Sequence, residues 1–279
     1  MPTKFWKMHG IGNDYIYFDC FDNEPKNPEE LAKRLSDRHC SVGGDGIILV
    51  CKSDVADGKM HMFNADGSEG KMCGNGVRCV GKFLYDIKGI KKDTLTVETL
   101  SGIKTLKMQI EGGVAVGAAV DMGRAELFPD NIPALFEGDT AINVPLIVDG
   151  HTYRVTCVSM GNPHCVVFGG DPYAIELEKI GRSFETHPAF PERVNTEFVQ
   201  VLARNELKMR VWERGSGETF ACGTGACAVA VAAVLNGYAD KGAEIKVHLR
   251  GGDLNICYTD ETVVMTGSAT LAFCGEVEI

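Results

Sequence analysis

Trp212-Glu-Arg-Gly-Ser-Gly-Glu-Thr-Phe-Ala-Cys-Gly-Thr-Gly-Ala-Cys227, continued by an apolar run to Asn236, decides the reading of this chain because its centre occurs twice. Cys222 is followed by Gly223 and Gly225. Far upstream, Cys73 is followed by Gly74 and Gly76, and a second run of helical character follows it to near Tyr85. The cysteines are 149 positions apart (222 − 73). The same offset, with no gap, carries Asn13 to Asn162, Asn64 to Glu213, Glu69 to Glu218 and Gly46 to Asn195. Self-similarity held over about sixty residues marks a duplicated domain, and a period this long is not a solenoid repeat.

The length of 279 residues suits two domains of about 100 to 150 residues, and 44% apolar content supplies two cores. The expected division is 1–121 and 122–267, with the closing strand 268–279 a candidate to rejoin the first sheet. A net charge of −10 argues against nucleic acid or an anionic membrane as partner, since both are held by clustered Lys and Arg. No run approaches the roughly 20 apolar residues of a membrane span, and Met1-Pro-Thr-Lys-Phe-Trp6 has no apolar signal region, so a cytoplasmic protein acting on a small molecule is expected. The eleven cysteines are odd in number and include no Cys-x-x-Cys. Reduced, mostly buried thiols are expected rather than a disulfide scaffold, and no metal site.

Strands are predicted at Phe5–Met8, Tyr15–Asp19, Ile47–Val50 and Met60–Asn64, and a helix over Pro28–Leu35 with Asn27 as its N-cap. Val42–Gly46 is a glycine-rich loop without either phosphate-binding pattern, and a strand follows it. Leu95–Thr99, Ile103–Ile110 and Val114–Val120 read as strands joined at Ser101-Gly102 and Glu111-Gly112-Gly113. Gly123–Gly138, interrupted by Pro129 and Pro133, reads as an irregular connector. The second copy repeats the order, with strands at Tyr153–Ser159 and His164–Phe168, a helix from about Pro172 to Phe184, and strands at Thr196–Leu202 and Leu207–Glu213. After the Cys222 turn come strands at Ile245–Leu249, Leu254–Tyr258, Val263–Thr266 and Ala269–Val277. Thr224–Leu235 is apolar on every face and must be buried all round. The expected architecture is therefore α/β (α+β): two pseudo-symmetric domains, each a curved, mostly antiparallel sheet wrapped round a central helix.

Each Cys-Gly-x-Gly places a thiol at a helix start, where backbone N–H groups and the macrodipole favour negative charge. Such a thiol is expected to be acidified, and a substrate carboxylate could be held beside it. If the two halves face each other, two thiols can reach one carbon from opposite sides. That suits removal of a proton from one face and its return to the other, with no cofactor. An inert buried thiol is the ordinary alternative, and it is the reading for Cys79, Cys227 and the other seven cysteines.

Phe63-Asn-Ala-Asp-Gly-Ser-Glu-Gly-Lys-Met-Cys-Gly-Asn-Gly-Val-Arg-Cys79 and Glu213-Arg-Gly-Ser-Gly-Glu-Thr-Phe-Ala-Cys-Gly-Thr-Gly-Ala-Cys227 closely resemble the two signatures of the diaminopimelate epimerase family. Met8-His-Gly-Ile-Gly-Asn-Asp14 and Met160-Gly-Asn-Pro-His164 resemble its two asparagine turns. The resemblance spans nearly the whole chain. It implies interconversion of LL- and meso-2,6-diaminopimelate for lysine and peptidoglycan synthesis, without a cofactor, by a homodimer.

By that resemblance Cys73 and Cys222 are the acid/base pair. Gly74, Asn75, Gly223 and Thr224 would cradle the reacting carboxylate, and Glu213 would meet the reacting ammonium. Asn13, Asn64, Asn162, Asn195 and Arg214 would read the distant amino-acid end, Arg being suited to a bidentate carboxylate contact. His164 resembles a histidine thought to tune the thiols. Some members carry Gln where this chain has Gly46. Asparagines in turns also bond their own backbone, which is the alternative for all four. The runner-up is a proline racemase or hydroxyproline epimerase of the same fold, although those typically show Cys-Gly-His and lack a counterpart of Glu213-Arg214. A non-catalytic amino-acid binder or a thiol redox switch is the alternative from another class.

Overall fold

The computed structural model describes residues 2–279. The chain forms two compact units, one made of the residues up to Asp121 together with Thr266–Ile279, the other of Met122–Met265. Both are sheet-dominated α/β folds with few helices.

In the first unit β1 (Pro2–Gly10) and β2 (Asn13–Cys20) form a hairpin. Its two-residue turn places Gly12 at φ 85° and Ile11 at φ 47°. Positive φ is costly for a β-branched residue, so the turn that presents Asn13 is held by its surroundings. Helix α1 (Pro28–Ser36) crosses to β3 (Gly46–Cys51), which pairs parallel with β2. β4 (Gly58–Asn64) returns antiparallel and β5 (Glu69–Gly70) pairs back on it. Helix α2 (Gly74–Lys82), extended by a π-turn over Phe83–Ile87, crosses to β6 (Thr94–Thr99), parallel to β4. β7 (Gly102–Glu111) and β8 (Val114–Asp121) complete a meander. Gly112 and Gly113, both at positive φ, supply their turn. The last strand of the chain, β18 (Thr270–Glu278), pairs antiparallel with β1.

The two crossovers lie on opposite faces of this sheet, which explains why every residue of β3 is buried. Ile47, Leu49 and Cys51 pack with Leu31 and Leu35 of α1. Ile48 points the other way, toward Gly76 of α2. Helix α2 touches β1 and β2 as well as β6, β7 and β8, so the sheet curves round it. All nine of its residues are buried, and the polar ones are satisfied: Arg78 donates to Ser268 O, Gly74 O and Asn75 Oδ1, and Lys82 to Asp86 and Ala115 O. Asn27 stands at the N-cap of α1 as expected, but its side chain makes no capping bond.

The second unit repeats this plan. β9 (Val144–Val148), β10 (His151–Ser159), β11 (Pro163–Phe168), α3 (Leu177–Glu185), β12 (Asn195–Ala203) and β13 (Glu206–Glu213) come first. β14 (Gly217–Glu218), α4 (Gly223–Leu235), β15 (Glu244–Leu249) and β16 (Gly252–Tyr258) follow, and β17 (Val263–Ser268) begins in this unit and ends beyond its last residue, Met265. β11/β12 and β13/β15 are the parallel pairs. Helices α1 and α3 start 149 residues apart (177 − 28), as do α2 and α4 (223 − 74). Helix α4 touches β10, β11, β12, β15 and β16, and the residues from Gly225 to Ala233 are all buried. The other face carries the α3 core of Leu177, Phe184, Phe198 and Trp212.

Two sequence expectations need correction. The helix read from Pro172 begins at Leu177: Asp171 accepts from Tyr173 N–H to cap a short 3-10 turn, and Ile175 is extended at ψ 150°, which breaks the path. β9 was not expected at all. It pairs antiparallel with β10 and contains Pro145, which an edge position tolerates. No helix among the described residues is long and apolar enough to cross a membrane.

Candidate active site

Cys73 and Cys222 occupy the same place in their respective units. Each is the N-cap of the helix its sheet encloses, with extended backbone (φ −127° and −113°). Each sulfur accepts the N–H of the residue three further on, Gly76 at 3.3 Å and Gly225 at 3.4 Å. Gly74, Asn75, Gly223 and Thr224 are the first two residues of these helices, where amides point along the axis toward any bound anion.

In the first unit the Cys73 thiol donates to Asn13 Oδ1 at 3.1 Å. Asn13 Nδ2 donates to Asp45 at 2.7 Å, and Arg38 ties Asp45 to Asp14. Asp14 also pairs with Lys7 at 2.5 Å. Burial alone would raise the Asp14 carboxyl, but Arg38 and Lys7 outweigh it and hold it below the ordinary value. Asn13 is thus built onto the thiol, a contact its assignment to the distant end of a substrate did not include. Asn64 donates to Ser68 Oγ at 3.0 Å, a bond within its own turn. Gly46 lies opposite Asn64 across β3 and β4. A Cβ at Gly46 would fall 2.1 Å from Phe63 O, so with this backbone no side chain fits at that position.

The second unit gathers more charge. His164 is wholly buried, its Nδ1 2.6 Å from Glu197 Oε1 and its Nε2 3.1 Å from Asn162 Oδ1. Asn195, 2% exposed and opposite His164 in the ladder, accepts Arg214 N–H at 2.9 Å. Glu213 accepts from Thr219 Oγ1. Burial raises the Glu213 carboxyl, against the pull of Thr219, Cys222 and His164. Arg214 is exposed and donates to Glu192 O at 2.9 Å. Cys222 Sγ lies 3.6 Å from Thr224 Oγ1.

A helix-start cysteine is expected to be acidified, and for Cys222 the structure shows the reverse. The thiol is 5% exposed, and burial pushes it well above the ordinary value, followed by the negative charges of Glu213 and Glu197. Thr224 and the Gly225 N–H oppose the shift without cancelling it. Desolvation of a thiolate therefore outweighs the helix terminus here.

Sequence reasoning missed Asp45, Glu197 and Glu185. Glu185, 7% exposed at the end of α3, accepts from Trp212 Nε1 at 2.8 Å, Gly215 N–H at 3.0 Å and Arg193 at 3.2 Å, and so pins the turn that carries Glu213 and Arg214. None of the three belongs to a motif. Glu197 alone left a signal, as a charged residue in the otherwise uncharged run Val194–Val201.

Residues 5–128 and 156–272 match the family model described as diaminopimelate epimerase. A protein of Methanococcus maripaludis named diaminopimelate epimerase is 52% identical over 99% of this chain and 100% of its own length. One of the same name from Acetivibrio thermocellus is 51% identical over 99% of each. Among solved structures, a probable proline racemase from Agrobacterium radiobacter K84 superposes with a TM-score of 0.72 at 15% identity, over 99% of this chain and 93% of that one, a likeness of fold alone.

Proposed function

The chain belongs to the diaminopimelate epimerase family of isomerases, and from that premise we propose that it interconverts LL- and meso-2,6-diaminopimelate with Cys73 and Cys222 as the two proton-transfer groups. The observation that carries the reading is the matched pair of thiols, each capping an enclosed helix and each bonded to the third amide of that helix. One cysteine, as thiolate, takes the α-proton and leaves the electron pair on the carbon, and the other, as thiol, gives its proton to the opposite face. Amides at the two helix starts stabilise the charge that develops on the adjacent carboxylate. These groups supply both transfers, so the reading needs no cofactor. Glu213 meets the reacting ammonium, and the exposed Arg214 guanidinium, which donates to Glu192 O, exchanges that bond for the distant carboxylate. Asn13, Asn64, Asn162 and Asn195 complete the substrate's surroundings, Asn13 and Asn162 through Cys73 and His164. The reading includes a homodimer working in the cytoplasm, in lysine and peptidoglycan synthesis.

The test is incubation with LL-diaminopimelate followed by chiral chromatography, with proline and trans-4-hydroxyproline as controls. Formation of the meso isomer and no turnover of the controls is expected. Turnover of either proline substrate, with diaminopimelate untouched, would reverse the assignment.

A further inference from the structure

The duplication makes the two thiol environments directly comparable, and at one position they differ in kind. At the 149-residue offset Gly225 corresponds to Gly76, and Glu197 to Ile48. A Cβ at Gly76 would stand 2.8 Å from Ile48 Cδ1, and a Cβ at Gly225 would stand 2.7 Å from Glu197 Oε1. The first turn of each helix is thus packed on the same strand position, an aliphatic side chain in one unit and a carboxylate in the other. The point 2.7 Å from Glu197 Oε1 is also 3.2 Å from Cys222 Sγ, so those two atoms are at most 5.9 Å apart, the sum of the two distances.

Glu197 is wholly buried. His164 Nδ1 satisfies Oε1, whereas Oε2 has no hydrogen-bond partner among the described residues. A buried carboxylate short of donors draws on whatever positive potential is near, and the amino-terminal turn of α4 is beside it. The same turn would stabilise a Cys222 thiolate. Two anions cannot share it without mutual repulsion.

Resting on the two-thiol reading above, we propose that Glu197 occupies the positive end of α4 and so keeps Cys222 protonated, making Cys222 the proton donor of the resting enzyme and leaving the role of base to Cys73. Glu197 is a positioning residue in this account, acting through Cys222. The charged groups acting on Cys222 are Glu213 at the end of β13 and Glu197 on β12, and His164 on β11 is bonded to Glu197. Glu213 adds repulsion of the same sign, and its counterpart in the first unit is the neutral Asn64. At a separation of about 6 Å, a unit charge on Glu197 changes the fraction of Cys222 thiolate by about threefold at the dielectric of water and about a hundredfold at an effective value of about 20, so roughly tenfold is expected between them.

The experiment measures the rate of Cys222 alkylation by iodoacetamide against pH, by mass spectrometry of the Cys222 peptide, in the wild-type protein, Glu197→Gln and Glu197→Asp. In the wild type the midpoint is expected above the ordinary thiol value of about 8.5. Glu197→Gln should lower it by about one pH unit, and Glu197→Asp, which keeps the charge, should return it toward the wild-type value. A merely structural role would not distinguish the two variants in this way. An unmoved midpoint in a folded Glu197→Gln protein overturns the proposal. So does a wild-type midpoint at or below 8.5, which decides the matter even if Glu197→Gln does not fold. The two-thiol reading fails separately, if Cys222→Ala retains near-normal epimerisation.

Discussion

Asn195 Oδ1 accepts the backbone N–H of Arg214 at 2.9 Å, from a side chain that is itself buried. The bond fixes the backbone at the Glu213-Arg214 step, so Asn195 holds this turn from beneath. Asn195→Ala is expected to cost about 1 to 3 kcal/mol of stability, because the amide loses its partner inside the protein. Asn195→Asp retains an acceptor and should be milder. Denaturant titration of the two variants checks this, and equal losses would show that the Arg214 bond is not what matters.

Glu185 makes stability depend on acid. Burial alone would raise its carboxyl, but Trp212, Gly215 and Arg193 outweigh that and hold it below the ordinary 4.5. A group whose folded value is depressed contributes stability that is fully present above its unfolded value and is lost as pH falls through the folded one. The contribution should therefore be intact at neutral pH and fade below about pH 4.5. Thermal melts of the wild type and Glu185→Gln are expected to differ at pH 7 and to converge as the pH drops. A constant gap across that range would exclude the carboxylate as the cause.

The two helix-start glycines should respond unequally to the same change. Gly225→Ala pushes a methyl against a carboxylate tied to His164, and a loss of about 1 to 3 kcal/mol is expected. Gly76→Ala meets the ends of Ile48 and Met60, which can turn aside, and the roughly 1 kcal/mol gain in helix propensity offsets the crowding. Paired unfolding curves read the difference. Gly76→Ala proving the more damaging would contradict the packing described.

The role proposed for Arg214 makes substrate choice depend on it. Arg214→Met is expected to lower kcat/KM for diaminopimelate by the equivalent of about 2 to 5 kcal/mol, as when one member of a charge pair is removed. Turnover of an analogue lacking the distant carboxylate should barely change. A uniform loss on both substrates would place Arg214 in a structural role.

The duplicated α/β plan was legible because its markers are local. Cys-Gly-x-Gly fixes a helix start from four residues, and the apolar Thr224–Leu235 run declares a buried helix without reference to anything else. What was not legible depends on tertiary placement. Pro145 hides β9 from any propensity argument, and Pro172 suggests a helix start where it serves a short turn. Helix-start position alone argues for an acidic Cys222, and only the burial of that thiol beside Glu213 and Glu197 reverses the sign. Glu185 reaches Trp212 and Gly215 across 27 and 30 residues of chain, and no spacing rule connects them.

The most direct measurement is incubation with LL-diaminopimelate in heavy water, using the wild type, Cys73→Ala and Cys222→Ala, with the α-carbon hydrogen followed by NMR and the isomers resolved chirally. The account predicts that the wild type forms the meso isomer carrying solvent deuterium at the inverted carbon, and that neither variant inverts it. Inversion without deuterium incorporation, or near-normal inversion by either single-cysteine variant, would contradict proton transfer by two thiols.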